Sequence, residues 1–350
     1  MHVQIRPAAV VFNAEYSNLL TMVQKRIELE CRYKQYHALE LHTRHLFEYA
    51  LEFGRFLSVV YRYQLIHALR EEALWYIKVF ESHGWEKESF RLMVDSWIIA
   101  IEGVIKPPEC NELSKPLKEL LDGLVSLTDG RAGRSKISEF KADPALIERL
   151  MKGEMQGARD IVSSMLARLA SPDRLIIEII LPAMVEIGER WERNTAEVFQ
   201  EHLATETIRN LLASLPGMIQ RTLPDSKRTA IVSCVPGDEH ELIPLALAAY
   251  LEIRGWDVKN LGGNLPADQI AAAVDALSPH AVFLTLTMLS RLDNAMEVIA
   301  RTQRQTHKAP IIFGGRGALR AKDVLESAGA LVAGDFDEGH HLGSGGPRHA

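Results

Sequence analysis

TAIVSCV (229–235), ELIPLALAAYLEIRG (241–255) and WDVKNLGG (256–263) read in succession as strand, helix and strand. The alternation continues through PADQIAAAVDAL (266–277), HAVFLTLTM (280–288), RLDNAMEVIARTQR (291–304), APIIFGG (309–315), LRAKDVLESAG (319–329) and ALVAG (330–334). Strands that are nearly continuous in apolar residues, separated by amphipathic helices, predict a parallel sheet covered on both faces. Right-handed crossovers then make residues 226–335 a doubly wound, Rossmann-like α/β domain. Ligands of such sheets bind outside the carboxyl ends of the strands, so function is to be read in the loops that follow them.

Outward from this region the composition changes twice. Residues 138–218 carry helical periodicity only. SPDRLIIEIILPAMVEIGERWERN (171–194) offers Ser171 as a cap with Pro172 at the first helical position, and Pro182 is expected to kink or split the helix. Between Pro7 and Pro107 there is no proline, and Leu19, Leu20, Val23 and Ile27 recur at helical spacing. Residues 1–127 therefore read as a helical bundle of about four helices, with Gly54 a candidate break and His83-Gly84 a helix end. TDGRAGRSKI (128–137) reads as a linker, and 336–350, rich in glycine and histidine, as a disordered tail. The fold class is α plus α/β.

Bulk properties remove several classes of function. A formal charge of −6 gives no overall pull on nucleic acid or anionic lipid. Residues 1–125 hold 15 basic against 17 acidic side chains and no basic recognition helix, which argues against a DNA-binding head. No apolar run approaches a membrane span, and the first residues lack a secretory leader pattern, so a cytoplasmic location is expected. Cys31, Cys110 and Cys234 are too scattered for a zinc site or disulfide framework.

The loop after the first strand, Val235-Pro236-Gly237-Asp238-Glu239-His240, lacks the G-x-G-x-x-G of a dinucleotide-binding fold. It offers instead a histidine with a carboxylate two residues before it. An imidazole can ligate a metal through one nitrogen while a carboxylate orients the other. Gly262 ends the second strand, Thr285 and Thr287 lie on the third, and Gly314-Gly315 ends the fourth. Glycines admit close approach to the backbone, and threonine hydroxyls supply hydrogen bonds.

In this order the motifs resemble those of the cobalamin-binding domain: Asp238-x-His240, then Thr285-Leu286-Thr287, then Gly314-Gly315. The resemblance implies a cobalamin bound base-off, with His240 as the lower axial cobalt ligand and Asp238 as its partner. Glu239 and Gly262 would lie along the same crevice, and the nucleotide tail beside Thr285, Thr287, Gly314 and Gly315. Ile243 departs from the pattern, standing where the family has a loop glycine. Upstream, Trp191 followed by Glu201-His202 looks like the cap of light-sensing cobalamin-dependent regulators, which implies an indole over the upper face and a Glu-His pair at an adenosyl group. Glu192 stands where those regulators have a histidine.

Arg32, Tyr33, Tyr36, His37, His42, Arg44, His45, Tyr49, Phe53, Arg55, Phe56, Tyr61, Arg62, Tyr63 and His67 mix rings, imidazoles and guanidiniums. Such a set reads either as a bundle core with polar edges or as a seat for a flat, acidic, conjugated ligand. A bundle, a cobalamin cap and a cobalamin domain without a DNA-binding head resemble the photocobilins. That resemblance implies a photoreceptor with adenosylcobalamin and a second chromophore, a bilin such as biliverdin, held non-covalently. It further implies a homo-oligomer with a signalling partner, no nucleic acid, no membrane and no catalysis. The competing reading is a corrinoid methyl carrier of a methyltransferase system.

Overall fold

The computed structural model describes residues 6–33, 43–82, 84–85, 87–123, 140–219 and 228–346, with only the backbone of Tyr33 and Met218. The expected linker at 128–137 lies outside them. The chain divides into two units, Met1–Gly133 and Arg134–Ala350.

Unit 1 contains five helices among its described residues: α1 (Pro7–Tyr33), α2 (Thr43–Tyr63), α3 (Ala68–Ser82), α4 (Lys87–Val104) and α5 (Glu109–Asp122). Gly54 does not break α2. It is buried, and a Cβ there would fall 2.2 Å from the Trp97 ring of α4, so the missing side chain makes room for an indole. The Trp97 Nε1–H donates to Ala50 O one turn earlier at 3.2 Å. The chain leaves α3 through Gly84 at φ +76°, where Trp85 N–H closes onto Phe80 O at 2.8 Å.

Unit 2 opens with α6 (Pro144–Met151), capped by Asp143, and α7 (Met155–Leu166). The carbonyls of Ser171 and Pro172 accept the N–H groups of Arg174 and Leu175 at 3.2 Å, so a tight turn opens at the expected Ser171-Pro172 start and the helix runs from residue 174. A π-helical turn, Ile176–Ile180, precedes α8 (Leu181–Glu192). Pro182 thus sits at the junction where the π-helical turn passes into α8, so the kink or split expected there appears as a change of helix type. The last helix of this layer is α9 (Val198–Met218).

The sheet follows: β1 (Thr229–Cys234), α10 (Leu242–Ile253), β2 (Asp257–Gly262), α11 (Ala267–Leu277), β3 (Ala281–Thr285), α12 (Leu292–Thr302), β4 (Ile311–Gly314), α13 (Arg316–Arg320), α14 (Lys322–Ser327), β5 (Leu331–Val332) and α15 (Phe336–Gly343). All pairings are parallel, in the order β2-β1-β3-β4-β5. The chain reverses direction across the sheet between β1 and β3, which makes the loops after those strands the topological switch point. Helices α6 to α9 share one apolar core with the sheet layer. Ile176, Ile208 and Leu212 pack in the same cluster as Ala246, Tyr250, Trp256 and Phe283.

The disordered tail expected at 336–350 is corrected over its first half. Residues 336–343 are helical because Asp335 caps Glu338 N–H at 2.8 Å and Leu342 is buried. Gly339 and Gly343 lie flat on Phe283, where a Cβ at Gly343 would stand 2.5 Å from the ring. Asp337 is held by Arg254, Arg174 and the Tyr250 hydroxyl.

Candidate functional site

The switch point is built around one buried carboxylate. Asp238 is fully buried, and its Oδ2 accepts the backbone N–H groups of Thr287 at 2.5 Å and Met288 at 3.3 Å. Those donors belong to the loop after β3, so Asp238 ties the two diverging loops together. Its Oδ1 accepts His240 N–H at 3.3 Å and stands 2.7 Å from His240 Nδ1. Burial alone would push the Asp238 carboxyl up. The hydrogen bond and charge of His240, and the Thr287 amide, outweigh it and hold the group below the ordinary carboxylate range.

An ionised acceptor at Nδ1 fixes the His240 proton there and leaves Nε2 with its lone pair outward. The imidazole is half exposed, at 49% of its side chain. The turn carrying it is braced from below by α12 and its approach: Arg291 Nε–H donates to Gly237 O at 2.8 Å and the Asn294 amide to Pro236 O at 2.7 Å. Glu239 points outward as an exposed residue. Ile243, at the departure from the glycine pattern, is accommodated within α10 and packs against the apolar core.

The other strand ends converge here. Thr285 pairs in register with Cys234 on one side and Gly314 on the other. Burial pushes the Cys234 thiol up to about 11, with the Thr285 hydroxyl opposing it. The Thr287 hydroxyl oxygen is buried without a hydrogen-bond partner among the described residues. Gly315 adopts φ +101°, and a Cβ there would lie 2.7 Å from Leu286 O, so the β4 turn packs directly under the β3 loop. Gly262 adopts φ +73°, with open space where a side chain would be, and its carbonyl accepts the Ser233 hydroxyl at 2.9 Å. Asp238, His240, Thr285, Thr287, Gly262, Gly314 and Gly315 are therefore assembled at one edge of the sheet.

Trp191, Glu201 and His202 belong to the overlying helical layer. Trp191 is half-buried at the end of α8, and Glu201 accepts the Thr205 hydroxyl at 2.7 Å in the first turn of α9. His202 is exposed, as are Val198 at 57% and Phe199 at 62%. Arg209 lies seven residues after His202, on the same helical face and about 10 Å further along the axis. Its Nη1 reaches Glu241 Oε2 at 3.1 Å, beside His240. The open stripe of α9 is thus anchored at one end onto the His240 loop. Sequence reasoning missed Arg209, Glu241, Ser233, Arg291 and Asn294, because each acts through a partner distant in the chain and none sits in a recognisable spacing.

In unit 1 the rings of the aromatic-rich stretch pack on one another. Tyr49 stands edge-on to Phe80 at 5.0 Å, Phe53 to Tyr76 at 5.6 Å, and Tyr61 to Phe12 at 5.0 Å. Phe56 is buried, while Arg44, His45, Arg55 and His67 are exposed. Tyr36, His37 and His42 lie outside the described residues. Beside Tyr61 opens a cavity of about 300 Å³ whose walls include Arg6, Gln64, Ile66 and Lys115. Cys31 and Cys110 are buried and in no disulfide.

A lone imidazole does not hold a metal ion by itself. It can complete the coordination of a metal already enclosed in a macrocycle. The outward Nε2, the unpartnered Thr287 hydroxyl and the open space at Gly262 fit such a group with a polar tail reaching into the strand ends. Residues 228–341 match the family described as B12 binding domain, and residues 144–215 match a second family of the same description. The chain is 28% identical over 220 residues to the HTH-type transcriptional repressor CarH of Myxococcus xanthus, covering 62% of this chain and 72% of that protein. It is 22% identical to the trimethylamine corrinoid protein of Methanosarcina barkeri, over 51% of this chain and 83% of that one. Among solved structures, the monomethylamine corrinoid protein of Methanosarcina barkeri aligns with a TM-score of 0.47 at 17% identity, covering 56% of this chain and 94% of that one. No described helix is long and apolar enough to cross a membrane.

Proposed function

We propose that this chain, whose residues 144–215 and 228–341 are B12 binding domain segments, is a light-sensing protein. In this reading adenosylcobalamin is held base-off between α6–α9 and the strand ends of the sheet. His240 serves as the lower axial ligand through Nε2, and Asp238 orients it. Thr285, Thr287, Gly262, Gly314 and Gly315 line the crevice for the nucleotide tail, with Glu239 at its mouth. Trp191, Glu201 and His202 cover the upper side. The carrying observation is the 2.7 Å contact between His240 Nδ1 and a fully buried Asp238, which presents the other ring nitrogen to a ligand.

When bound, adenosylcobalamin supplies a cobalt–carbon bond that light can cleave. The residues of the chain do the rest: Trp191 and the apolar start of α9 exclude water above the site, and Asp238 keeps the imidazole proton on Nδ1. Contacts between α8–α9 and the upper ligand differ before and after its loss, and only such a difference can shift the position of this layer. The output is a change in domain or subunit arrangement, read by a homo-oligomer contact or a signalling partner in the cytoplasm. No catalytic step, nucleic acid or membrane enters this reading.

A bilin such as biliverdin, seated in unit 1, is the second chromophore of the proposal. Its support is the photocobilin-like order of segments; the cavity beside Tyr61 carries Arg6 and Lys115 on its wall, each paired with a carboxylate of the same wall, Glu112 at 3.0 Å and Glu119 at 3.8 Å. Both thiols of unit 1 are buried, which favours a non-covalent bilin. The corrinoid relatives favour a second reading, a methyl carrier, in which the upper ligand is methyl and light is incidental.

Protein reconstituted in the dark with adenosylcobalamin and biliverdin tests these points together. Corrin bands that change on illumination, and that shift in His240→Ala, are the expected result; a red band marks the bilin. An unaltered spectrum in His240→Ala removes the ligand assignment. Preference for methylcobalamin with no light response selects the carrier.

A further inference from the structure

The pair formed by Arg209 and Glu241 joins two segments 32 residues apart in the chain. It is more than a surface ion pair in its placement. Arg209 continues the α9 face that carries Val198 and His202, and Glu241 directly follows His240. While Glu241 Oε2 meets Arg209, the other oxygen, Oε1, hangs over the loop after β2, where a Cβ built on Gly263 would stand only 2.6 Å away. Unlike Gly262, Gly263 has an ordinary backbone conformation. Its missing side chain therefore serves space rather than φ: it is the seat of the Glu241 carboxylate.

Three elements thus meet at one side chain: helix α9, the His240 loop and the end of β2. Both partners keep 37% of their side-chain surface exposed. Pairs with that exposure add little to folding stability, so stability alone is a poor account of a contact that also requires a glycine opposite. The His240 backbone is held from one side by Asp238, which accepts its N–H, and flanked on the other by Glu241. A displacement of α9 acts on that second side through Arg209.

We propose that Arg209, Glu241 and Gly263 form a latch through which the position of α9 sets how His240 is presented to its ligand. Glu241 is a positioning residue in this scheme, and Arg209 is its handle. The latch rests on the cobalamin reading above and deepens it, because it gives the upper and lower sides of the site a mechanical connection through the protein.

The test uses the full chain, grown with 15N-labelled histidine and loaded with cob(II)alamin, whose electron paramagnetic resonance lines split into two when a labelled imidazole occupies the lower position and into three when the cofactor's own benzimidazole does. The splitting scored in each protein is the twofold one. In wild type the splitting is expected throughout. Arg209→Met, Glu241→Gln and Gly263→Ala should each lower the His-on fraction by about twofold or more. Gly263→Ala should match Glu241→Gln, since its methyl group displaces the carboxylate. The charge-swapped double variant, Arg209→Glu with Glu241→Arg, should recover most of the loss. Wild-type splitting in all three single variants overturns the latch and leaves the cobalamin reading standing. Absence of splitting in wild type overturns the reading and the latch with it. Where a variant takes up no cobalamin, hydrogen exchange of residues 198–209 in the apo-protein decides. Faster exchange in the single variants, reversed by the swap, supports the latch, and wild-type protection overturns it.

Discussion

The two units use the same residue types to different ends. In unit 1, aromatic rings, arginines and histidines crowd one stretch of sequence, yet the rings of Tyr49, Phe53 and Tyr61 are spent on packing against other rings, and the cations lie outside. In unit 2, residues from four separate segments meet at the carboxyl ends of the strands around one buried carboxylate. Composition reported packing in the first case, whereas order and spacing reported chemistry in the second. Neither a cluster of rings nor a lone Asp-x-His says which it is until the partners across the fold are known.

The strongest way to break this comparison is Asp238→Ala. Two backbone N–H groups after β3 would lose their acceptor inside the protein, at about 2–4 kcal/mol of unit 2 stability. The His240 ring would lose its orientation, with a fall of about 10–100-fold in cobalamin affinity. Thermal unfolding and dark titration with adenosylcobalamin measure the two effects separately. Unit 1 should unfold as before. A variant that kept wild-type affinity would show that the carboxylate shapes the loop without serving the ligand.

Gly54→Ala sharpens the comparison from the other side. In an open helix this change gains about 1 kcal/mol. Here the new methyl group meets the Trp97 ring, so overpacking should reverse the sign and destabilise unit 1 by about 1–3 kcal/mol. Cobalamin binding by unit 2 should not change. Near-ultraviolet circular dichroism of the aromatic cluster and denaturant unfolding read the first expectation, and the dark titration reads the second. A stabilised Gly54→Ala protein would mean that the indole does not occupy that notch.

Much of unit 2 was legible because apolar strands and turn residues alternate strictly, and because Asp238, His240, Thr285 and Gly314-Gly315 fall at the end of successive strands. The helical layer was legible from periodicity. Ser171-Pro172 opens the tight turn that leads into the helix at residue 174, and Pro182 marks the junction of the π-helical turn with α8, where a kink or split was expected. Helix α15 was illegible. Its glycines look like breakers in isolation, but Gly339 and Gly343 are what lets the helix lie against Phe283, and that ring comes from a strand more than fifty residues earlier. Gly54 misled in the same way. A glycine chosen for close approach carries no local signature that separates it from one chosen for a turn. Arg209 and Glu241 look like ordinary surface charges until the fold brings them together.

The smallest expected effect concerns how the layers of unit 2 are joined. Asp173, at the entry to the π-helical turn, accepts Arg254 Nη2–H at 2.7 Å and Nε–H at 3.0 Å from the end of α10. Arg254 also reaches Asp337 of α15 at 3.0 Å and lies over the Tyr250 ring. Burial pushes the Asp173 carboxyl up, but Ser171 and Arg254 together bring it below its ordinary value. A lowered folded pKa means that the ionised form is the one favoured by folding. Its contribution is complete above the unfolded carboxylate pKa of about 3.9 and disappears as pH falls through the folded value. Asp173→Asn should therefore cost about 1 kcal/mol near neutrality, and the gap from wild type should close under acid, below about pH 4. Hydrogen exchange in α6–α9 should quicken on that acidification in wild type and much less in Asp173→Asn, whereas the protection of the ring-packed core of α2–α4 should respond alike in the two proteins. An α6–α9 response that is the same in wild type and Asp173→Asn would mean that the layers of unit 2 are joined by their shared apolar core alone.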